Sequence, residues 1–288
     1  MAHGPITVTQ FAKEICRPPY LKGNPFGKAE TQLVDPNDTE YLAPTGFNPA
    51  IVGSVVDYLA RYLALPDESV ERCFEISLLG WNMIVEHYPD NEQTHNQLVT
   101  IDQTIGDFLD QQRLAERRVL DDELVTNAVK LACLDVAYRR GDCNLAIRQF
   151  NELPSQLDDA TINQIKQLTT RCVKLMNLIK QRNEHVYPTF EVHSPRNHIF
   201  GDGDIIADHV ILDFKVYKSN PWTPQNTVQL ALYYLIGKWG KHDVDIDFNG
   251  IQTLMLFDAR RNQMLFTRIN QQRSALEKID NFMRSVLS

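Results

Sequence analysis

The stretch Gly201–Lys218, GDGDIIADHVILDFKVYK, decides the fold. Two short apolar runs, Ile205–Ala207 and Val210–Leu212, flank the polar pair Asp208-His209, which suits a two-residue turn. Alternation of period two carries the second run on through Asp213, Phe214, Lys215 and Val216. A two-residue loop sets Ala207 opposite Val210, Ile205 opposite Leu212 and Asp204 opposite Asp213. Directly opposed residues share a face about 5 Å apart. Ile205, Val210, Leu212, Phe214 and Val216 are then expected on an apolar face, and Asp202, Asp204, Asp213 and Lys215 on the other. Carboxylates held together repel each other, and a sheet gains nothing from this unless a cation lies between them.

A hard divalent ion, Mg²⁺ or Mn²⁺, is the economical cation, because such ions prefer carboxylate oxygen. Lys215 on the same face could orient a water and stabilise negative charge in a phosphoryl-type transition state. Downstream, Thr223 suits a helix cap and Pro224 a first turn. This places Gln229 and Tyr233 on one helical face. Gly201-x-x-Asp204, Asp213-x-Lys215 and Gln229-x-x-x-Tyr233, in that order, resemble the PD-(D/E)XK nuclease superfamily, particularly its RecB-like exonuclease branch.

The resemblance implies an α/β restriction-endonuclease-like core, a mixed sheet flanked by helices. It implies a metal held by Asp204, Asp213 and the backbone carbonyl of Phe214, with Lys215 beside the attacking water. It also implies that Gln229 and Tyr233 guide a nucleic-acid strand, with DNA the favoured substrate and RNA left open. The bland reading of that pair is a buried helix in which Gln229 bonds to backbone. Gly53-x-x-x-Asp57 falls where RecB-like nucleases often carry Gly-x-x-x-His, so Asp57 is expected to complete the metal shell. A partly exposed helix aspartate is the alternative. Two rival functions stay open: a nucleic-acid-binding module of the same fold without catalysis, and an interaction protein, such as a phage or defence component, working through its helical part.

Outward from this centre, residues 1–47 are rich in Pro, Gly and polar residues and read as an irregular arm with one short helix near Thr9–Ile15. Asn48 and Pro49 open a first core helix over 48–65. Residues 66–183 read as an all-helical insertion, with helices expected at 67–88, 92–113, 121–140, 143–152 and 159–182. Period two returns in Val186–Val192, Ile251–Phe257 and Gln263–Ile269, and Gln271–Leu287 reads as an amphipathic helix. The core is thus expected over 184–288. Arg260 and Arg261 fall at an expected hairpin tip, where they would touch phosphate or simply be solvated.

Composition limits the alternatives. The chain has 288 residues, 43% of them hydrophobic and 23% charged, as in an ordinary globular protein. No apolar run approaches the roughly 18 residues of a membrane span, and no signal-peptide pattern opens the chain, so a cytoplasmic protein without membrane contact is expected. Its five cysteines show no Cys-x-x-Cys spacing, which argues against disulfides, zinc and iron–sulfur clusters. The net charge of −8 disfavours indiscriminate nucleic-acid binding. It is uneven, however: residues 184–288 hold 11 Lys and Arg against 12 Asp and Glu, and the first 183 hold 18 against 25.

Overall fold

A computed structural model describes residues 6–17, 20–88, 92–154, 157–195 and 198–287. Pro18, Pro19 and the expected helix stop Pro89 lie outside the described residues. Two compact units emerge, one built from residues 1–41 and 174–288 and the other from 42–173.

In the first unit the alternating segments form two sheets. One contains β1 (Ile6–Thr7), β5 (Ile199–Gly203), β4 (Phe190–His193) and β8 (Lys241–His242), in that order. The other runs β2 (Glu30–Leu33), β10 (Gln263–Arg268), β9 (Thr253–Asp258), β7 (Val210–Lys215), β6 (Ile205–Ala207) and β3 (Val186–Tyr187). The expected strand over Val186–Val192 is divided between the two sheets, breaking at Pro188, which cannot donate to a ladder.

The central hairpin has the expected register, with Ala207 opposite Val210 and Ile205 opposite Leu212. The face expected to be polar differs. Ile206 and Ile211 lie on it and join the same core cluster as Leu254 and Leu256 of β9. Ile205, Val210, Leu212 and Phe214 are buried too, so both faces of the hairpin strands are covered, and beyond the Asp208-His209 turn their polar character is confined to the Asp213 end. Strand β7 is parallel to β9, with Lys215 in register with Asp258, and helix α10 (Pro224–Trp239) makes the crossover between them. Every residue of α10 from Asn226 to Gly237 is buried, as expected of a helix enclosed on all sides. It packs against β4, β7 and β9 and against two further helices, α1 (Val8–Ile15) and α11 (Arg273–Leu287).

The second unit is all helix among its described residues: α2 (Pro49–Ala64), α3 (Val70–Cys73), α4 (Glu75–His87), α5 (Glu92–Leu114), α6 (Asp122–Ala132), α7 (Asp135–Arg140), α8 (Cys143–Glu152) and the start of α9 (Asp159–Lys180). Asn48 accepts from Ala50 N–H at 3.0 Å ahead of Pro49, the expected start of α2. That helix belongs to the helical unit, however, rather than to the sheet unit. Its apolar stripe, Val52, Val55, Val56 and Leu59, is buried, and α2 packs on α6. The expected arm instead contributes β1, α1 and β2 to the sheets and their cover. No helix among the described residues is long and apolar enough to cross a membrane.

Candidate active site

A single residue, Asp204, separates β5 of one sheet from β6 of the other. Because β6 pairs with β7 only as far as Leu212, the next stretch of β7 outruns its neighbour on that edge. The Phe214 N–H there donates to Asp204 Oδ2 at 2.6 Å, so a carboxylate takes a bond that a longer β6 would have supplied. The sequence-derived opposition of Asp204 and Asp213 is not part of the ladder, which ends at Ile205 and Leu212; the Asp204 side chain meets the Phe214 backbone instead.

Asp213 is only 4% exposed. Its Oδ2 has the Lys215 ammonium as charge partner but makes no hydrogen bond of regular geometry. Burial pushes the Asp213 carboxyl up to about 7, and the charges of Asp204 and Asp202 add to this while Lys215 opposes it. For Lys215, burial alone would favour the neutral amine, but the carboxylates of Asp213 and Asp204 outweigh it and hold the group above its ordinary range. Lys215 is therefore an ammonium at neutral pH, a charge donor and not a base.

The other sequence-derived residues fall into two groups. Gln229 and Tyr233 lie beside the site but are buried, at 8% and 2% exposure. Gln229 Nε2 donates to Tyr233 Oη at 2.9 Å and to Thr9 Oγ1 at 3.2 Å, and Tyr233 Oη donates to the Asp202 carbonyl at 2.6 Å. The pair thus ties α10 and α1 to β5, and neither presents a surface for a strand to ride on. Their contact requires Gly201: a Cβ there would lie 2.8 Å from Val8 Cβ and 3.1 Å from Tyr233 Cε1. Asp57 lies in the helical unit, where Arg61 grips its carboxylate from both nitrogens, Nε at 3.0 Å and Nη2 at 2.5 Å.

Sequence reading missed a clamp on the segment that follows Asp213. Arg260, expected at a solvated tip, is 1% exposed, and its Nε donates to the Val216 carbonyl at 2.7 Å. Ala259 N–H donates to the Lys215 carbonyl at 3.0 Å. Arg261 Nη2 donates to the Lys218 carbonyl at 2.8 Å, and its Nη1 donates to buried Asp258 at 2.6 Å. Tyr41 Oη also reaches the Lys218 carbonyl, at 3.2 Å, with the Arg261 guanidinium 4.8 Å from its ring centre. Tyr217, 44% exposed, stands with its ring centre 5.9 Å from Lys215 Nζ. The available signal was Asp258 ending β9 just before two arginines.

No group of three or more His, Cys, Asp or Glu side chains that could hold a metal ion occurs among the described residues. What could serve a hard cation is a smaller set: Asp213, Asp204 and the Phe214 carbonyl. Mg²⁺ is commonly bound by one or two carboxylates while keeping several waters, so this donor set fits its chemistry. The raised Asp213 carboxyl, caused mainly by burial, fits too, since a bound cation would favour its ionised form. No family model, curated protein or solved structure was found to match the chain.

Proposed function

We propose that the sheet unit is a metal-dependent phosphodiesterase of the restriction-endonuclease-like fold, acting on nucleic acid and most readily on DNA. The observation that carries this reading is the buried Asp213–Lys215 ion pair beside Asp204, at the point where β7 outruns β6. The three sequence pieces that resemble RecB-like nucleases are also tied together by hydrogen bonds. Tyr233 holds the backbone of Asp202, and Asp204 holds that of Phe214.

In this reading Asp204, Asp213 and the Phe214 carbonyl hold Mg²⁺ or Mn²⁺. Such an ion would supply Lewis acidity and a bound water more acidic than bulk water. Lys215, charged and clamped through its backbone, orients the attacking water and offsets charge that develops on phosphate. Gln229 and Tyr233 act by positioning β5, and Asp57 has no part, its charge being met by Arg61. The test is incubation with linear, circular and single-stranded DNA and with RNA, in Mg²⁺, Mn²⁺ or EDTA, beside Asp213→Asn. Cleavage that needs the divalent ion and vanishes in the variant is the expected result.

Burial of Asp213 and Lys215 favours a second reading, a nucleic-acid-binding module in which the ion pair is structural. That reading predicts binding without cleavage under every metal condition in the same experiment.

A further inference from the structure

One concavity of the sheet unit has no lining residue from the Asp213 centre. It has a volume of about 510 Å³ and is formed by the end of α10, the residues just before β9, the end of β10 with the two residues after it, and the first turns of α11. That volume falls within the range of about 300–1,000 Å³ usual for small-molecule sites. Its apolar lining comes from Leu235, Ile251, Ile269 and Leu276.

Three cations share this lining: Lys238, Arg268 and Arg273. None of them pairs with a carboxylate among the described residues. Lys238 stands instead with its Nζ 5.3 Å from the ring centre of Tyr234. Of the two acids present, Asp280 pairs through Oδ2 with Arg284 at 2.9 Å while its Oδ1 is buried without a hydrogen-bond partner, so Glu277 and Asp280 stand against the three cations. Isolated surface cations are ordinary. Three left without ion pairs around one apolar-floored hollow suit a ligand with an anionic head and an apolar body.

We propose that this cavity binds a nucleoside monophosphate, with Arg268, Arg273 and Lys238 on the phosphate and the base over Ile251 and Leu276. The site requires no chemistry at Asp213 and stands whether or not the sheet unit cleaves nucleic acid. Calorimetric titration of the whole protein in EDTA, with deoxyadenosine monophosphate, inorganic phosphate and deoxyadenosine as probes, tests it. The nucleotide is expected to bind saturably and more tightly than either fragment. Arg268→Ala with Arg273→Ala should weaken it at least about tenfold, as loss of charge-assisted bonds implies, without lowering the melting temperature, since both side chains are exposed. Asp213→Asn should leave the affinity unchanged. Absence of saturable nucleotide binding, or an affinity indifferent to the double variant, would overturn the site. Equal affinity for phosphate and the nucleotide would overturn the role of the apolar floor.

Discussion

At the scale of the residue, the ion pair of Asp213 and Lys215 makes stability depend on pH in a definite direction. An unfolded aspartate titrates near ~3.9, whereas the folded Asp213 carboxyl is raised to about 7 by burial. Between those values the folded state binds more protons than the unfolded chain, so stability falls as pH rises through that window. In EDTA the melting temperature should therefore drop from pH 5 to pH 8, and Mg²⁺ or Mn²⁺ should restore part of the loss at pH 8. The double variant Asp213→Asn, Lys215→Met, which removes both charges together, should show a much shallower profile. A wild-type profile as shallow as the variant's would contradict the buried pair. Lys215→Met alone leaves a buried carboxylate without its counter-charge, a loss of about 3–5 kcal/mol. That loss should shrink toward pH 5, where Asp213 takes up a proton. Cleavage by this variant at pH 8, measured below its melting temperature, should fall by roughly a hundredfold to a thousandfold if Lys215 works on the reacting phosphate.

At the scale of the element, the hairpin was legible because its register follows from alternation and a two-residue turn, both local. What local pattern could not show was how far β6 extends, and so that Asp204 would meet the Phe214 N–H in place of the Asp213 side chain. Nor could it show the role of α1, which depends on the close approach that Gly201 allows. The 121–140 helix breaks at Cys133–Leu134, where a second element approaches closely. The Leu134 carbonyl comes so near Gly80 of α4 that a Cβ there would sit 2.2 Å from it. Two predictions belong to elements. Tyr233→Phe removes the hydroxyl that links Gln229 to the Asp202 carbonyl. It should cost about 1–3 kcal/mol in denaturant unfolding, the penalty for a buried polar group left unpaired. Arg260→Met keeps much of the apolar stem but strips the Val216 carbonyl of its donor. It should destabilise by a similar amount and, by loosening the Lys215 backbone, lower kcat more than it changes KM. A raised KM with kcat unchanged would instead place Arg260 on the substrate.

At the scale of the whole molecule, sequence separated a helical region from a sheet region but misplaced the border. Pro49–Ala64 carries an apolar stripe that any partner could bury, and the stripe cannot say which partner does. The helical unit has a core of its own, including Tyr58, Phe74 and Phe108, and a buried polar centre. There Tyr58 Oη and Ser77 Oγ donate to Asp135 at 2.6 and 2.8 Å. Burial raises the Asp135 carboxyl, and the two hydroxyls and Arg139 oppose that shift. With 132 residues between its borders at 42 and 173, the unit is of a size that commonly folds alone. A fragment spanning 42–183, which retains all of α9, should show a helical circular-dichroism spectrum and one cooperative melt. The excess of acidic residues lies in the first 183 residues, so the fragment should bind neither duplex nor single-stranded DNA at 150 mM salt, whereas the full chain carrying Asp213→Asn should. Equal DNA affinity in fragment and full chain would move the nucleic-acid surface to the helices and leave the Asp213 centre without a substrate.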